Sequence, residues 1–375
     1  MKKILFLLLC LVSLACLIAM PFICTHSDML PEKVTAYYEQ KAQDQAQSTT
    51  GAEAELMALL LGGGAAPAPA IEEETEATES GLSFSIYGLY LMIGAALALG
   101  MLLLGAGLQP RLRPALLWTA ALALPLGLLG ARLVYCLSSI SFYVSDIGAP
   151  VAMLKIWEGG LSLSGALLFI TLAGVIGAKM GKMQIGAVLD DLIQPMMILY
   201  FFSTFALREI HMGFGPELEG AFPLFATQIE GTARLNTPLL MLLFALLPLF
   251  VHHRAWKQKR PQGHAFALSA FFYGAGMILM ESLRKDGHML MGFVHVEMML
   301  DMAIALPALL YLAGKARRVP LALLASILLA GAVIGLEFAL DRAAIGDIWL
   351  YLVYIGIICA YLGLGCSCAK RAAAV

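Results

Sequence analysis

Long apolar runs, each about the length of a bilayer crossing, alternate with short polar connections along most of this chain. The runs fall near residues 4–24, 83–107, 114–137, 160–178, 187–207, 237–251, 264–283, 298–314, 319–338 and 347–366. A membrane-spanning helix needs about 20 mostly apolar residues, so the pattern predicts ten spans, with 237–251 the shortest. Several runs contain proline or glycine, which helices in lipid tolerate better than helices in water. The alternation breaks only at 25–82, a stretch rich in Ala, Gln, Ser, Thr and Pro with the acidic run Glu72-Glu73-Glu74-Thr75-Glu76. Such a composition cannot bury enough apolar surface to offset its ordering entropy, and it reads as a disordered linker.

Charge sorts the connections by side. With the N-terminus inside, alternate connections hold Lys2, Lys3, Arg111, Arg113, Lys179, Lys182, Arg254, Lys257, Lys259, Arg260, Lys315, Arg317, Arg318, Lys370 and Arg371, fifteen of the 24 lysines and arginines. Basic residues gather on the cytoplasmic side of membrane proteins, which predicts that both termini are cytoplasmic and that 25–82 lies outside. The first run resembles a signal peptide's charged and apolar regions. Its long core and lack of a clear small-x-small cleavage site favour an uncleaved anchor.

Composition agrees. Only 13% of the 375 residues are charged, 60% are apolar and the mean hydropathy is +0.83, against about 25% charged in a soluble domain. A secreted disulfide scaffold, a nucleic-acid binder and a soluble dinucleotide enzyme are excluded; the partner is the lipid bilayer, with no nucleic acid. The seven cysteines lie in or beside apolar runs rather than in water-exposed pairs at ligand spacing, so no metal is expected. The expected fold is all-α and polytopic. Its parts are an anchor or signal-like helix at 1–24, the outer linker at 25–82, a membrane core at 83–314 and a two-helix extension at 315–375.

Charges at membrane depth carry the chemistry, because each costs roughly 2.5–3.5 kcal/mol on insertion scales. They are Arg132, Glu158, the pair Asp190-Asp191, Arg208-Glu209, Glu281 with Arg284, Asp301 and Glu337. Each also has a structural alternative: snorkelling at a helix end for Glu158, Arg208-Glu209 and Arg284, helix-start capping for Asp190-Asp191, or half of a pair for Asp301 and Glu337. Arg132, Glu158, Arg208, Glu281 and Arg284 all fall toward the outer half. Arginine binds phosphate bidentately and keeps its charge when desolvated, so three arginines balanced by two carboxylates suit a phospholipid headgroup. No histidine falls inside a predicted helix core: His252, His253 and His264 are placed in an inner loop, His211, His288 and His295 in outer ones.

The order of these pieces resembles the prolipoprotein diacylglyceryl transferase family over about residues 83–314. Tyr87-Gly88-Leu89 looks like the Tyr-Gly that opens its first core helix. Gly130-Ala131-Arg132-Leu133-Val134-Tyr135 looks like Gly-Gly-Arg-x-x-Tyr. Trp157-Glu158-Gly159-Gly160-Leu161-Ser162 and Ser164-Gly165-Ala166-Leu167 are similar to Trp-Asp/Glu-Gly-Gly-x-Ser and His-Gly-Gly-Leu. Asp191 with Pro195 resembles Asp-x-x-x-Pro, Tyr273-Gly274, Glu281 and Arg284 keep the spacing of Tyr-Gly, Glu and Arg, and Met298 to Pro307 is similar to the last family helix. The departures are Ser164 for the family histidine, Met277 for an arginine four residues before Glu281, and Thr237-Pro238 for a longer His-Pro motif. The Gly-Arg-x-Gly-Asn-Phe signature is broken. A three-residue slip from Pro195 puts its arginine on Arg208 and His211 at its asparagine.

The resemblance implies seven core helices and transfer of the diacylglyceryl group of phosphatidylglycerol to the lipobox cysteine of a prolipoprotein signal peptide, with no cofactor. It implies catalytic roles for Arg208 and His211, with His288 or His295 as other candidates for the base. Substrate-binding roles follow for Tyr87, Arg132, Glu158, Ser164, Asp191, Glu281 and Arg284. The alternative is a catalytically inactive relative that binds phospholipid or a lipoprotein partner. A generic transporter would explain ten helices but not the ordered motifs.

Overall fold

Lipid offers no water to backbone amides, so each long apolar run satisfies its N–H and C=O groups internally as a helix. The computed structural model of the chain describes residues 2–24, 84–140, 143–144, 153–154, 156, 160–218, 225–229, 231–258, 260–285, 289–291, 294–342 and 347–372. Ten helices among them are long and apolar enough to cross a membrane. They are α1 (Lys2–Ile23), α2 (Ile86–Leu108), α3 (Arg113–Ser138), α4 (Leu163–Met180), α5 (Ile185–Glu209), α6 (Thr237–Lys257), α7 (His264–Ser282), α8 (Val296–Lys315), α9 (Val319–Arg342) and α10 (Asp347–Ala372). The protein is an all-α, multi-pass membrane protein. The expected linker, 25–82, lies outside the described residues.

Local chemistry sets the helix starts. Ser85, Ser162 and Asn236 cap α2, α4 and α6 by accepting hydrogen bonds from the amides of Gly88, Gly165 and Leu239, each meeting one orphan donor of a first turn. The sixth span is longer than expected. The helix runs past the apolar stretch through His252, His253 and Arg254 to Lys257, because basic residues are favourable at a helix C-terminus and their stems can lie along apolar surface. His252 and His253 are thus helical, and His264 begins α7, a correction to their expected place in a loop. The eighth span begins earlier than the apolar run did, at Val296, and so takes Glu297 into its first turn.

Two antiparallel hairpins occupy connections at one end of the bundle, β1 (Ala226–Ile229) with β2 (Thr232–Leu235), and β3 (Leu290–Met291) with β4 (Val294–His295). The periodicity of the apolar runs had given no sign of them. In the first, Ala226 faces Leu235 and Ile229 faces Thr232. The basic connections lie at the opposite end, so the bundle has a hairpin end and a basic end.

Two apolar clusters form the core, one shared by α1 to α7 and one joining α7 and α8 to α9 and α10. α3 lies against α4, α7 against α8, α2 against α5, and α6 against α7. A Cβ on Gly165 of α4 would stand 2.8 Å from the Gly130 carbonyl of α3, which is how small residues let two membrane helices close on each other. α1 packs on α2 and α3, with Phe6 edge-on to Trp118 at 5.0 Å, and α10 packs on α7 and α8.

Candidate functional site

The hairpin end of α7 carries Glu281 in its last turn and Arg284 just beyond it. They form an ion pair of 3.0 Å, and each residue is only 5% exposed. Facing them, the first turn of α8 presents Glu297, 4% exposed, with Asp301 one turn further and fully buried. α4 contributes its cap: Ser162 Oγ donates to Glu297 at 2.8 Å while accepting from the Gly165 amide at 2.9 Å. Ser164 Oγ lies 3.4 Å from an Asp301 carboxylate oxygen. Close packing makes this meeting possible, since a Cβ on Gly274 of α7 would collide with the Asp301 carbonyl. No larger residue fits there without moving α8.

These side chains surround a hollow of about 30 Å³ lined by Tyr87, Ser164, Tyr200, Tyr273, Met277, Glu281, Arg284 and Glu297, about the room one water needs. Tyr200 and Tyr273 meet edge to face at 5.4 Å, and the Tyr200 hydroxyl donates to Met277 Sδ at 3.3 Å. Apolar cavities adjoin it on two sides. A cavity of about 50 Å³ shares Tyr87, Leu161, Leu163 and Ser203 with the hollow and reaches Met20 of α1. A second, of about 500 Å³, shares Tyr273 and runs between α4, α5, α7 and α8 to Tyr311 near the basic end. A charged pocket beside apolar cavities suits a ligand with a charged head and hydrocarbon tails.

Of the residues singled out by sequence, the structure brings Tyr87, Ser164, Glu281 and Arg284 together around this hollow. Arg132 is buried, but it donates to loop carbonyls, Nε to Met153 at 2.9 Å and Nη1 to Gly160 at 3.2 Å, with its guanidinium 5.9 Å from the Tyr143 ring. Gly160 sits at φ +73, and a Cβ there would strike Tyr135, so glycine fixes the loop that Arg132 holds. Arg208 is half-buried at the end of α5, one residue past Leu207, which lines the hollow. His211 is exposed in the following turn at φ 60. Asp191 stands 17 residues before Arg208 on α5, about 25 Å away at 1.5 Å per residue. Glu158 and His288 lie outside the described residues.

The expected gathering of three arginines is therefore corrected: among the described residues the hollow holds one, Arg284. Its acidity was the part sequence reasoning missed. Glu297 was passed over because it precedes the apolar run, and Asp301 was read alone. Their spacing of four, which puts both on one helix face, is the signal that joins them. Among the described residues no three His, Cys, Asp or Glu side chains are grouped to hold a metal ion.

A profile described as prolipoprotein diacylglyceryl transferase matches residues 76–317, which leaves α1, α9 and α10 outside it. The chain is similar to the phosphatidylglycerol–prolipoprotein diacylglyceryl transferase of Streptococcus pneumoniae serotype 4, 28% identical over 220 residues, 56% of this chain and 82% of the relative. It is also similar to the protein of that name from Symbiobacterium thermophilum, 30% identical over 251 residues, 63% of this chain and 90% of the relative.

Proposed function

The chain belongs to the prolipoprotein diacylglyceryl transferase family, and from that membership we propose that it moves the diacylglyceryl group of phosphatidylglycerol onto the lipobox cysteine of a prolipoprotein signal peptide. The observation that carries the reading is the buried Glu281–Arg284 pair lining a hollow with apolar cavities beside it. Arg284 offers charge-assisted donors to the lipid phosphate, and Glu281 holds the guanidinium in place. The apolar cavities take the acyl chains. The cysteine thiolate attacks the glycerol carbon that bears the phosphate. The sulfur–carbon bond forms as the carbon–oxygen bond breaks, and glycerol phosphate departs with its charge stabilised by Arg284. The Arg208 guanidinium makes no hydrogen bond or ion pair among the described residues, so it is available to the headgroup at the rim.

The sorting of lysine and arginine supports a bacterial plasma-membrane orientation with the hairpin end outward and both termini in the cytoplasm. Residues 83–314 are the transferase core, with the anchor helix before it and α9 and α10 as an extension packed against α7 and α8. The second reading, a relative that binds phospholipid or a lipoprotein without turnover, is favoured by Ser164 and Met277 in place of the family's histidine and arginine.

Expression in a strain depleted of its own transferase separates the two. Transfer predicts thioether lipidation of an exported reporter prolipoprotein, which also requires the hairpin end to face outward. An unmodified reporter alongside membrane-inserted protein would leave the non-catalytic reading standing.

A further inference from the structure

Transfer to a thiol needs somewhere for the thiol proton to go, and the residues around the hollow narrow the choice. Ser164 and the tyrosines offer hydroxyls, weak bases when neutral. Glu281 is committed to Arg284 at 3.0 Å. Neither His211, exposed beyond α5, nor His295 is among the lining residues. Glu297 remains. Its Oε1 accepts from Ser162 at 2.8 Å, while its Oε2 is buried and has no hydrogen-bond partner among the described residues.

A buried carboxylate oxygen left without a donor in a native site calls for an explanation. Ser162 supplies the first half of it. Because its Oγ is already fixed by the Gly165 amide at 2.9 Å, its own hydrogen points to Glu297 Oε1 and turns Oε2 free. Asp301 Oδ2 is likewise without a partner, but Asp301 does not line the hollow and is completely enclosed. Of the two acids on this face of α8, Glu297 is the one that lines the hollow.

We propose that Glu297 is the general base of this transferase, accepting the proton of the substrate cysteine on Oε2 while Ser162 holds the carboxylate in register. The proposal rests on the transferase reading above. The S–H bond breaks toward Oε2, and the sulfur electron pair forms the bond to the glycerol carbon. The pair of the broken carbon–oxygen bond leaves on the phosphate beside Arg284. Protonation of Glu297 removes one negative charge from a cluster where Glu281 and Asp301 stand nearby, so the step relieves repulsion as the phosphate gains charge.

The test uses the full chain in phosphatidylglycerol-containing vesicles with two synthetic signal peptides, one with the lipobox cysteine and one with selenocysteine, whose selenol ionises at neutral pH without help. Glu297→Gln keeps the size of the side chain and an acceptor for Ser162. Transfer to the cysteine peptide should fall about 10²–10⁴-fold, the usual worth of a general base, with transfer to the selenocysteine peptide within a few-fold of wild type. Ser162→Ala, which keeps the acid and removes its orienting donor, should give a smaller loss with the same rescue. Undiminished cysteine transfer by Glu297→Gln, or equal losses on both peptides in both variants, overturns the proposal. Wild-type protein inactive on both peptides defeats the transferase reading, and this proposal with it.

Discussion

Removing one member of a buried ion pair leaves the other charge desolvated and alone, typically a loss of 3–5 kcal/mol. Glu281 and Arg284 are such a pair. Arg284→Ala is therefore expected to lower the unfolding temperature in detergent and to abolish transfer. The double change Glu281→Gln with Arg284→Gln should recover most of the stability and none of the activity. Wild-type transfer by Arg284→Ala would remove the phosphate role assigned to it. By contrast the Arg234–Glu217 pair, 3.2 Å apart near the first hairpin, is exposed on both sides, and such pairs contribute little. Glu281 and Arg284 were legible in the sequence because charges three apart in an apolar run are costly unless they meet. Glu297 was not, because one charged residue beside an apolar run looks like the end of a loop until the helix is seen to include it.

A helix start needs acceptors for its free amides, and these can come from another helix. Asp190 of α5 accepts from the amides of Gly263 and Phe266, both at 2.7 Å, and so caps α7. Sequence pointed to Asp190-Asp191 as a cap of their own helix. α5 begins at Ile185, so Asp190 stands in its second turn, past the orphan amides it would have capped. The His252 ring lies 2.8 Å from the Asp190 carbonyl, tying α6 to the same point. Loss of a capping side chain costs about 0.5–2 kcal/mol. Asp190→Ala should therefore unfold at lower temperature while kcat, set by the charged residues at the other end of the bundle, stays near wild type. A large rise in KM with unchanged stability would mean that Asp190 belongs to the substrate path instead. Element boundaries and type were largely legible, since helix is the only way a lone apolar run can cross lipid. The hairpins were not, because a two-residue ladder carries too short a period to read.

Across the whole molecule, a polar hollow near the hairpin end and an apolar cavity reaching toward the basic end lie on either side of Tyr273. If acyl chains occupy the apolar part, filling it should weaken lipid binding without touching the charged residues. Ala308 of α8 lines that cavity. Ala308→Trp is expected to reduce the phospholipid retained after gentle detergent extraction, read by native mass spectrometry, and to raise the KM for phosphatidylglycerol several-fold with a smaller change in kcat. Unchanged retention and KM would place the chains elsewhere. The extension helices are part of this structure rather than a tail: Tyr351 of α10 donates to the Ser282 carbonyl at 3.0 Å, beside Glu281, and a Cβ on Gly365 would meet the Phe271 ring of α7.

The sequence by itself determined the number and kind of spans, the sorting of charge between the two ends and the family motifs in their order. All of these follow from what one segment must do in lipid or from neighbours along the chain. Which intramembrane charges meet was decided only by the tertiary structure. Arg132 turns to the carbonyls of Met153 and Gly160, and Asp190 turns to α7. Glu281, Arg284 and Glu297 share one hollow. Such meetings depend on how far two helices approach and how each is rotated, and glycines at contacts such as Gly165 and Gly274 set that approach with no mark in the hydrophobic pattern.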